Sequence, residues 1–223
     1  MASADGTRLD VWRSGRGPPL VLVHGATADH SRWDAVRGPL EERFTLHAMD
    51  RRDRREGEQR PYAFEREVED LVAVVDAAGG EAAAVVAHSF GAMCALEAAA
   101  RGARVSRLVL YEGGFTSSDR PEWLPVLGQM ERHIAEGRRE EALDLLMRRI
   151  AMLSERDLDV VRRSPTWQKR LAAVHTIPRE LRAAMAYRLP SDVGARVRVP
   201  TLLLVGGASP PSEHADAERV AKA

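Results

Sequence analysis

A serine stands where an apolar run gives way to a stretch of small residues, at positions 85–92, VVAHSFGA. This order fits the motif G-x-S-x-G, with Ala87 in place of the first glycine and Gly91 as the second. In that motif the serine occupies a strained turn from strand to helix, beside the free N–H groups of a helix N-terminus. The pattern predicts that Ser89 is a nucleophile; the alternative is a serine that only caps the helix.

A second motif, His24-Gly25-Ala26, directly follows the apolar run 19–23, PLVLV. The loop at this place can hold a backbone N–H opposite that of Phe90. Two N–H groups that converge on one point form an oxyanion hole, which stabilises the negative charge of an acyl-transfer transition state. We therefore predict that Ala26 N–H and Phe90 N–H form this hole, and that His24 bonds the loop backbone and is not a base.

Short runs rich in Val and Leu alternate with helical stretches, which predicts βαβ units and a parallel sheet with helices on both faces. The predicted parallel strands are Pro19–Val23, Phe44–Met49, Ala83–Ala87, Leu108–Tyr111 and Thr201–Val205, and Leu9–Arg13 is predicted as an antiparallel strand before them. The predicted helices between them are His30–Arg43, Ala63–Ala78 and Phe90–Arg101, and Ser212–Ala223 is predicted as the last helix.

The alternation stops after Gly114, and residues 115–194 are charged, helical in pattern and interrupted by prolines. This predicts two units: a core formed by residues 1–114 and 195–223, and a helical cap formed by residues 115–194. The apolar stripes of the cap are predicted to pack among its own helices and on the core. Trp123, Met130 or Trp167 is a candidate to face a pocket beneath it.

The amino-acid composition of the chain disfavours several classes of function. The 33 basic and 33 acidic residues cancel, which disfavours a nucleic-acid partner, because neutralising phosphates needs an excess of Lys and Arg. The single cysteine, Cys94, allows neither an internal disulfide nor a Cys-based zinc site and is interpreted as a small core residue. We find neither a membrane-spanning run nor a signal pattern, nor a spacing typical of a metal site, and we predict a cytoplasmic protein without metal or cofactor. Heavy Arg and Ala use indicates a bacterial genome.

These motifs together resemble the α/β-hydrolase superfamily, in the branch with a helical cap after the sixth strand. The matching segments are His24-Gly25 after the third strand, Asp50-Arg51-Arg52 after the fourth, 87–91 after the fifth, and 108–112 as the sixth. The resemblance implies an α/β-hydrolase fold and a triad in the chain order serine, acid, histidine. The charge run 50–56, DRRDRRE, stands where the family usually has a glycine-rich loop, with Asp53 in place of a glycine; we predict a solvated ion-pair cluster there.

In the family, the acid commonly follows the seventh strand in the pattern Gly-x-x-Asp, but residues 206–210 read GGASP and contain no carboxylate. A subset similar to haloalkane dehalogenases carries the acid at the end of the sixth strand, which here is Glu112. We therefore predict that Glu112 orients the histidine; the alternative is a solvated loop glutamate. Because the nucleophile is a serine and not an aspartate, acyl transfer fits better than halide displacement.

The family's histidine follows an eighth strand, and the sequence is interpreted as ending before that strand and the last helix. His133, His175 and His214 do not occupy the matching position, and the side chain of His88 is expected to point away from the Ser89 hydroxyl. We therefore predict that the base lies outside these 223 residues. The same interpretation makes Leu202–Val205 an apolar edge through which the chain is expected to self-associate.

The leading hypothesis is an esterase-like serine hydrolase that acts on a small carbonyl substrate. The alternative is a catalytically incomplete protein with the hydrolase fold, either a fragment of an enzyme or a non-catalytic ligand-binding protein.

Overall fold

The central feature of the fold is a six-stranded sheet in the order β1-β3-β2-β4-β5-β6. A computed structural model describes residues 1–54, 62–80, 82–115 and 119–222. Only β1 is antiparallel, to β3, and the other neighbours are parallel. The strands are Val11–Gly15 (β1), Pro19–Val23 (β2), Thr45–Met49 (β3), Ala83–His88 (β4), Val105–Tyr111 (β5) and Thr201–Leu204 (β6). The predicted parallel strands and the antiparallel strand before them are confirmed, with boundaries shifted by up to three residues.

The register of the sheet brings the loops of interest to one edge. Val23 at the end of β2 pairs with Ala87 of β4, and His88 at the end of β4 pairs with Tyr111 of β5. Parallel strands in this register have their carboxyl ends side by side. The segments that follow β2, β4 and β5 therefore begin next to one another.

Helices cover both faces of the sheet, as the sequence predicts. The side chains of Val21 and Val23 point to one face, where they pack with the helices that follow β3 and β4. Leu20 and Leu22 point to the other face, where they pack with Trp33. The helices are Asp34–Glu41 (α1), Phe64–Ala77 (α2), Phe90–Ala100 (α3), Trp123–Ala135 (α4), Arg139–Leu145 (α5), Glu155–Arg162 (α6), Trp167–Ala173 (α7), Ile177–Ala186 (α8), Val193–Arg196 (α9) and Pro211–Lys222 (α10). The predicted helix His30–Arg43 is a 3-10 turn, His30–Trp33, followed by α1.

In the described part of the segment between β5 and β6, the six α-helices α4 to α9 form what we call the helical insertion. Its own apolar core is centred on the fully buried Leu127, Leu143 and Leu158, and it also contains Met130 and Trp167. These last two side chains thus pack inside the insertion, while Trp123 lies at the margin of its core. The boundaries 115–194 for a separate cap stay a prediction.

β6 is the outermost strand of the described sheet, and its side chains are unequally covered. Leu202 and Leu204 are 53% and 42% exposed, whereas Leu203 packs against the main core. Self-association through Leu202–Val205 stays a prediction. Across the described residues, no helix combines the length and the apolar character that a membrane crossing requires.

Candidate active site

Ser89 forms the turn between β4 and α3, as the motif predicts. Its backbone adopts φ 53° and ψ −125°, a conformation that costs free energy in any residue other than glycine. Backbone hydrogen bonds hold the turn: Ser89 N–H donates to the Tyr111 carbonyl at 2.9 Å, and the Ser89 carbonyl accepts from Ala92 N–H at 2.8 Å and from Met93 N–H at 3.3 Å. The serine is thus fixed between the ends of two strands and the first turn of a helix.

Two glycines let the segments after β2 and β4 approach each other closely. A Cβ atom on Gly91 would lie 2.6 Å from the His24 carbonyl oxygen, and one on Gly25 would lie 2.8 Å from the Ser89 Cβ atom. Both distances are too short for any side chain. The structure therefore brings the His24-Gly25-Ala26 loop directly against the Ser89 turn, and each glycine is required at the contact.

The two predicted oxyanion donors belong to these touching segments. Phe90 is the first residue of α3, where backbone N–H groups have no partner within the helix. Ala26 is half-buried and packs against the core of the helical insertion. The next residue, Thr27, is buried and has a φ of 55°, so the backbone turns sharply directly after Ala26.

His24 is fully buried and both of its ring nitrogens are engaged. Its Nδ1 lies 2.7 Å from the Gly25 carbonyl oxygen, and its Nε2 accepts a hydrogen bond from Arg51 N–H at 3.1 Å. Burial, together with the charges of Arg54 and Arg51, holds the pKa of His24 well below its usual value. A neutral His24 thus links the loop after β2 to the residue that follows β3.

Glu112 lies directly after β5, on the other side of Ser89. Its N–H donates to the Leu204 carbonyl at 3.0 Å, and its backbone has a φ of 47°. Its carboxylate Oε1 accepts from Gly206 N–H at 3.1 Å and from the Ser209 hydroxyl. The side chain is therefore held by the loop that follows β6.

The role of Ser209 was missed by the sequence analysis, although a signal for it existed. The residue occupies the aspartate position of the Gly-x-x-Asp pattern, 97 residues from Glu112. Two candidate positions for an acid therefore lie in contact, with the carboxylate on one and a hydroxyl on the other. Burial raises the pKa of Tyr111, and the charge of Glu112 raises it further, because a nearby negative charge disfavours the phenolate.

The charge run after β3 is not solvated, and the prediction of a solvated ion-pair cluster is wrong. Arg51 and Arg52 are each 2% exposed, and Asp53 is 3% exposed. Arg51 donates to both carboxylate oxygens of Glu67, at 3.1 and 2.7 Å. Arg52 pairs in the same way with Asp70, at 2.7 Å for both bonds. Arg55 and Glu56 of the run lie outside the described residues.

Glu180 of α8 joins this arginine cluster from the helical insertion. It accepts from Arg51 at 2.9 Å and from Arg54 at 2.7 and 3.2 Å. Burial opposes the charge of Glu180, but the two guanidinium groups outweigh it and hold its pKa below the usual range. The Arg51 guanidinium also lies 4.2 Å from the centre of the Phe90 ring, so the cluster supports α3 next to Ser89.

Asp53 occupies the position of this segment where a glycine would be expected. It has a φ of 57°, a left-handed conformation that glycine adopts most easily and that aspartate tolerates. Its carboxylate accepts a hydrogen bond from Arg179 of α8 at 2.6 Å. A residue predicted to replace a glycine thus keeps the glycine-like backbone and adds an ion pair to the helical insertion.

The remaining histidines and the cysteine do not complete a triad. His133 lies in α4, His175 bonds the Ala172 carbonyl, and His214 is exposed on α10. Burial lowers the pKa of His88 to about 3, and Arg32 and Arg170 add to the effect. Within the described part of the chain, no histidine hydrogen-bonds Ser89 or Glu112.

Cys94 is buried in α3, where burial raises the pKa of its thiol. Among the residues that the structure describes, no three His, Cys, Asp or Glu side chains are grouped so that they could hold a metal ion.

Comparison with known proteins identifies the family to which the chain belongs. A sequence model of the alpha/beta hydrolase family matches residues 20–223. The chain is similar to the solved structure of an alpha/beta hydrolase from Sphaerobacter thermophilus, with 35% identity and a TM-score of 0.88 over all of this chain and 87% of the other. It shares its fold with the enol-lactonase from Burkholderia xenovorans, at 22% identity and a TM-score of 0.75 over all of this chain and 86% of the other.

Similarity to curated proteins covers a shorter segment. N-formylmaleamate deformylase from Pseudomonas putida is 34% identical over 115 residues, which are 49% of this chain and 43% of the deformylase. An uncharacterized protein from Mycobacterium tuberculosis is 30% identical over 112 residues, 48% of this chain and 32% of that protein. The chain therefore spans less than half the length of these curated relatives.

Proposed function

Because the chain belongs to the alpha/beta hydrolase family, we propose that it is a serine hydrolase that transfers the acyl group of a small ester-like substrate to Ser89. The observation that carries the proposal is the Ser89 turn, with its φ of 53° and the two glycines that press the neighbouring loop against it. A strained serine at a strand-to-helix turn is the arrangement that exposes a nucleophile above the sheet.

In the proposed reaction, the Ser89 hydroxyl oxygen attacks the substrate carbonyl carbon while a base accepts the hydroxyl proton. The carbonyl oxygen becomes an oxyanion that Ala26 N–H and Phe90 N–H stabilise. Loss of one such donor typically costs about 2.7–4 kcal/mol of transition-state stabilisation. The protonated base then gives its proton to the leaving oxygen, and the tetrahedral intermediate expels the alcohol. In the second step the base takes a proton from water, whose oxygen attacks the acyl carbon, and returns it to the Ser89 oxygen as the acid is released.

Glu112 is the proposed acid that orients the histidine base. Support comes from its place at the end of the strand next to Ser89 and from its two neutral hydrogen-bond donors, Gly206 N–H and the Ser209 hydroxyl. Neutral donors fix the carboxylate without cancelling its charge, which an imidazolium needs as a partner. The base itself is left unassigned, because no described histidine contacts Ser89 or Glu112.

The relatives support the reaction class. The deformylase and the enol-lactonase are named for cleavage of a carbonyl–heteroatom bond, which is the class of bond proposed for this chain. A cytoplasmic location and a small-molecule substrate belong to the same proposal.

Hydrolysis of 4-nitrophenyl acetate, with and without added imidazole, tests the proposal. Without a base, only the oxyanion hole and binding contribute, and these retain roughly 10³–10⁴-fold acceleration over water. We expect slow turnover that imidazole increases, and we expect Ser89→Ala to abolish the increase beyond the reaction of imidazole alone.

Ser106→Ala is the matched control, because Ser106 is an exposed serine on the adjacent strand β5. Equal rates for the wild-type chain and Ser89→Ala in the presence of imidazole would contradict the proposal. They would favour the alternative, a ligand-binding protein that keeps the hydrolase fold.

A further inference from the structure

Two arginines, Arg32 and Arg170, lie close to the Ser89 turn and act on the residue before it. Arg32 lies in the 3-10 turn that follows the His24–Ala26 loop, and Arg170 lies in α7 of the helical insertion. Within the described residues, neither side chain forms an ion pair. The nearest acidic residue of this loop, Asp29, is bound instead by Lys169, at 3.2 Å, and by Ser31.

One edge of the Arg170 guanidinium has no hydrogen-bond partner among the described residues. Its Nη1 donates to the Thr27 hydroxyl at 3.0 Å, while its Nε is buried and has no hydrogen-bond partner. The free edge is therefore the one formed by Nε and Nη2. Arg51 binds Glu67 through the same edge, and so does Arg182 with Glu131, each with two bonds. A buried, unsatisfied donor on this edge is costly, and a carboxylate is the group that satisfies both nitrogens at once.

Both positive charges lie close to the predicted nucleophile. Thr27, which holds Arg170, follows the proposed oxyanion donor Ala26 in sequence. The charges of Arg32 and Arg170 both act on His88, the residue before Ser89, and Arg32 also acts on Tyr111. Burial and the charge of Arg32 together lower the pKa of Arg170, and the charge of Asp29 offsets part of this effect.

The other arginines of this region differ in this respect. Arg51 and Arg54 are matched by Glu67 and Glu180, and Arg179 is matched by Asp53. Arg32 and Arg170 form no such ion pair among the described residues, and Asp29, itself bound by Lys169, offsets the charge of Arg170 only in part, so positive charge remains at this place. Such a charge is stabilised when an anion binds there.

We propose that Arg32 and Arg170 bind a carboxylate of the substrate, so that the substrate class is an ester-like compound that carries a separate, negatively charged carboxylate. The free edge of Arg170 would hold both carboxylate oxygens, and Arg32 would add the second charge. This inference rests on the proposed function in one respect, because it takes the bound molecule to be the substrate of Ser89. The binding itself does not require catalysis.

Calorimetric binding to the Ser89→Ala chain, which prevents turnover, tests the inference. The probes are monomethyl glutarate, which carries a free carboxylate, and dimethyl glutarate, which does not. We expect the monoester to bind about tenfold more tightly or better, as is typical of a hydrogen-bonded ion pair. Arg170→Gln and Arg32→Gln should each reduce this preference and leave the affinity for the diester within about twofold.

Arg156→Gln is the control, because Arg156 is an exposed arginine on α6, and it should change neither affinity. Equal affinity for both esters, no detectable binding of the monoester, or a preference that survives both substitutions would overturn the inference. An equal loss for both esters in Arg170→Gln would show that Arg170 only supports the loop through Thr27.

If Arg170→Gln does not fold, the binding test is carried out with Arg32→Gln. Arg32 makes no side-chain hydrogen bond to the described residues, so its substitution should leave the fold intact. Covalent labelling of Ser89 is a separate readout. A labelled Ser89 without any carboxylate preference would overturn this inference and leave the proposed function standing.

Discussion

Two carboxylates of the candidate site, those of Glu180 and Glu112, are held in opposite ways. Glu180 is buried and bound by two arginines, Arg51 and Arg54. Glu112 is half-buried, and the hydrogen bonds that hold it come from the neutral donors Gly206 N–H and the Ser209 hydroxyl. The first carboxylate has its charge cancelled inside the protein, while the charge of the second remains available.

This difference supports different proposed roles for the two carboxylates. Breaking a buried ion pair strongly destabilises the folded state, because removing one partner leaves an uncompensated charge in a medium of low polarity. Neutral donors fix the direction of a carboxylate while leaving its charge for another group. In our account, Glu180 ties the helical insertion to the core, and Glu112 is reserved for the reaction.

The same substitution at both positions should give very different stabilities. We expect Glu180→Gln to lower the free energy of unfolding by about 3–5 kcal/mol, because Arg54 loses its charged partner in a buried place. Urea denaturation monitored by circular dichroism measures this change.

Glu131→Gln is the matched control, because Glu131 binds Arg182 with two bonds of 3.0 and 2.9 Å but lies exposed. Its substitution should cost less than about 1 kcal/mol. Equal losses at Glu180 and Glu131 would show that burial does not decide the effect.

The pH dependence of stability is a second test of this comparison, and the expected change in the free energy of unfolding is smaller. The folded chain keeps Glu180 ionised, since Arg51 and Arg54 hold its pKa below the usual range, whereas the unfolded chain protonates it at an ordinary pKa. The unfolded state therefore binds more protons as the pH falls, and this part of the stability is lost in acid. From pH 5 to pH 3 the loss should be about 2 kcal/mol.

Glu180→Gln lacks this titration, so the stability gap between the wild-type chain and the variant should narrow by that amount over the same interval. Other carboxylates titrate in both proteins and cancel in the difference. A gap that stays constant between pH 5 and pH 3 would contradict the assigned role of Glu180.

The smallest effect on stability is expected at Glu112. In Glu112→Gln the amide oxygen still accepts from Gly206 N–H and Ser209, so the free energy of unfolding should change by less than about 1 kcal/mol. Urea denaturation under the conditions used for Glu180→Gln checks this. A loss as large as that at Glu180 would mean that the negative charge of Glu112 is needed for folding.

The features that sequence reasoning predicted correctly are those that local pattern determines. The strands, the turn at Ser89 and the small residues around it follow from neighbouring residues, because strain and close approach restrict which side chains fit. The contact between Gly91 and the His24 carbonyl also follows, once the strand order is known.

The features that sequence reasoning missed depend on partners far apart in the chain. Arg51 meets Glu180 across 129 residues, and Arg170 meets Thr27 across 143. A run of charges is interpreted as solvated when its partners are unknown, and this is why the buried cluster was predicted as exposed. Ser209 was overlooked for the same reason, since its meaning depends on Glu112, 97 residues away.

The nucleophilic character of Ser89 is the central claim, and covalent labelling tests it most directly. The chain is treated with a fluorophosphonate probe in the presence of imidazole, and the modified peptide is identified by mass spectrometry. Our account predicts that the probe is found on Ser89, that Ser89→Ala abolishes the modification, and that Ser106→Ala retains it. A chain that is not modified at Ser89, or a Ser89→Ala variant modified as strongly as the wild type, would contradict the account.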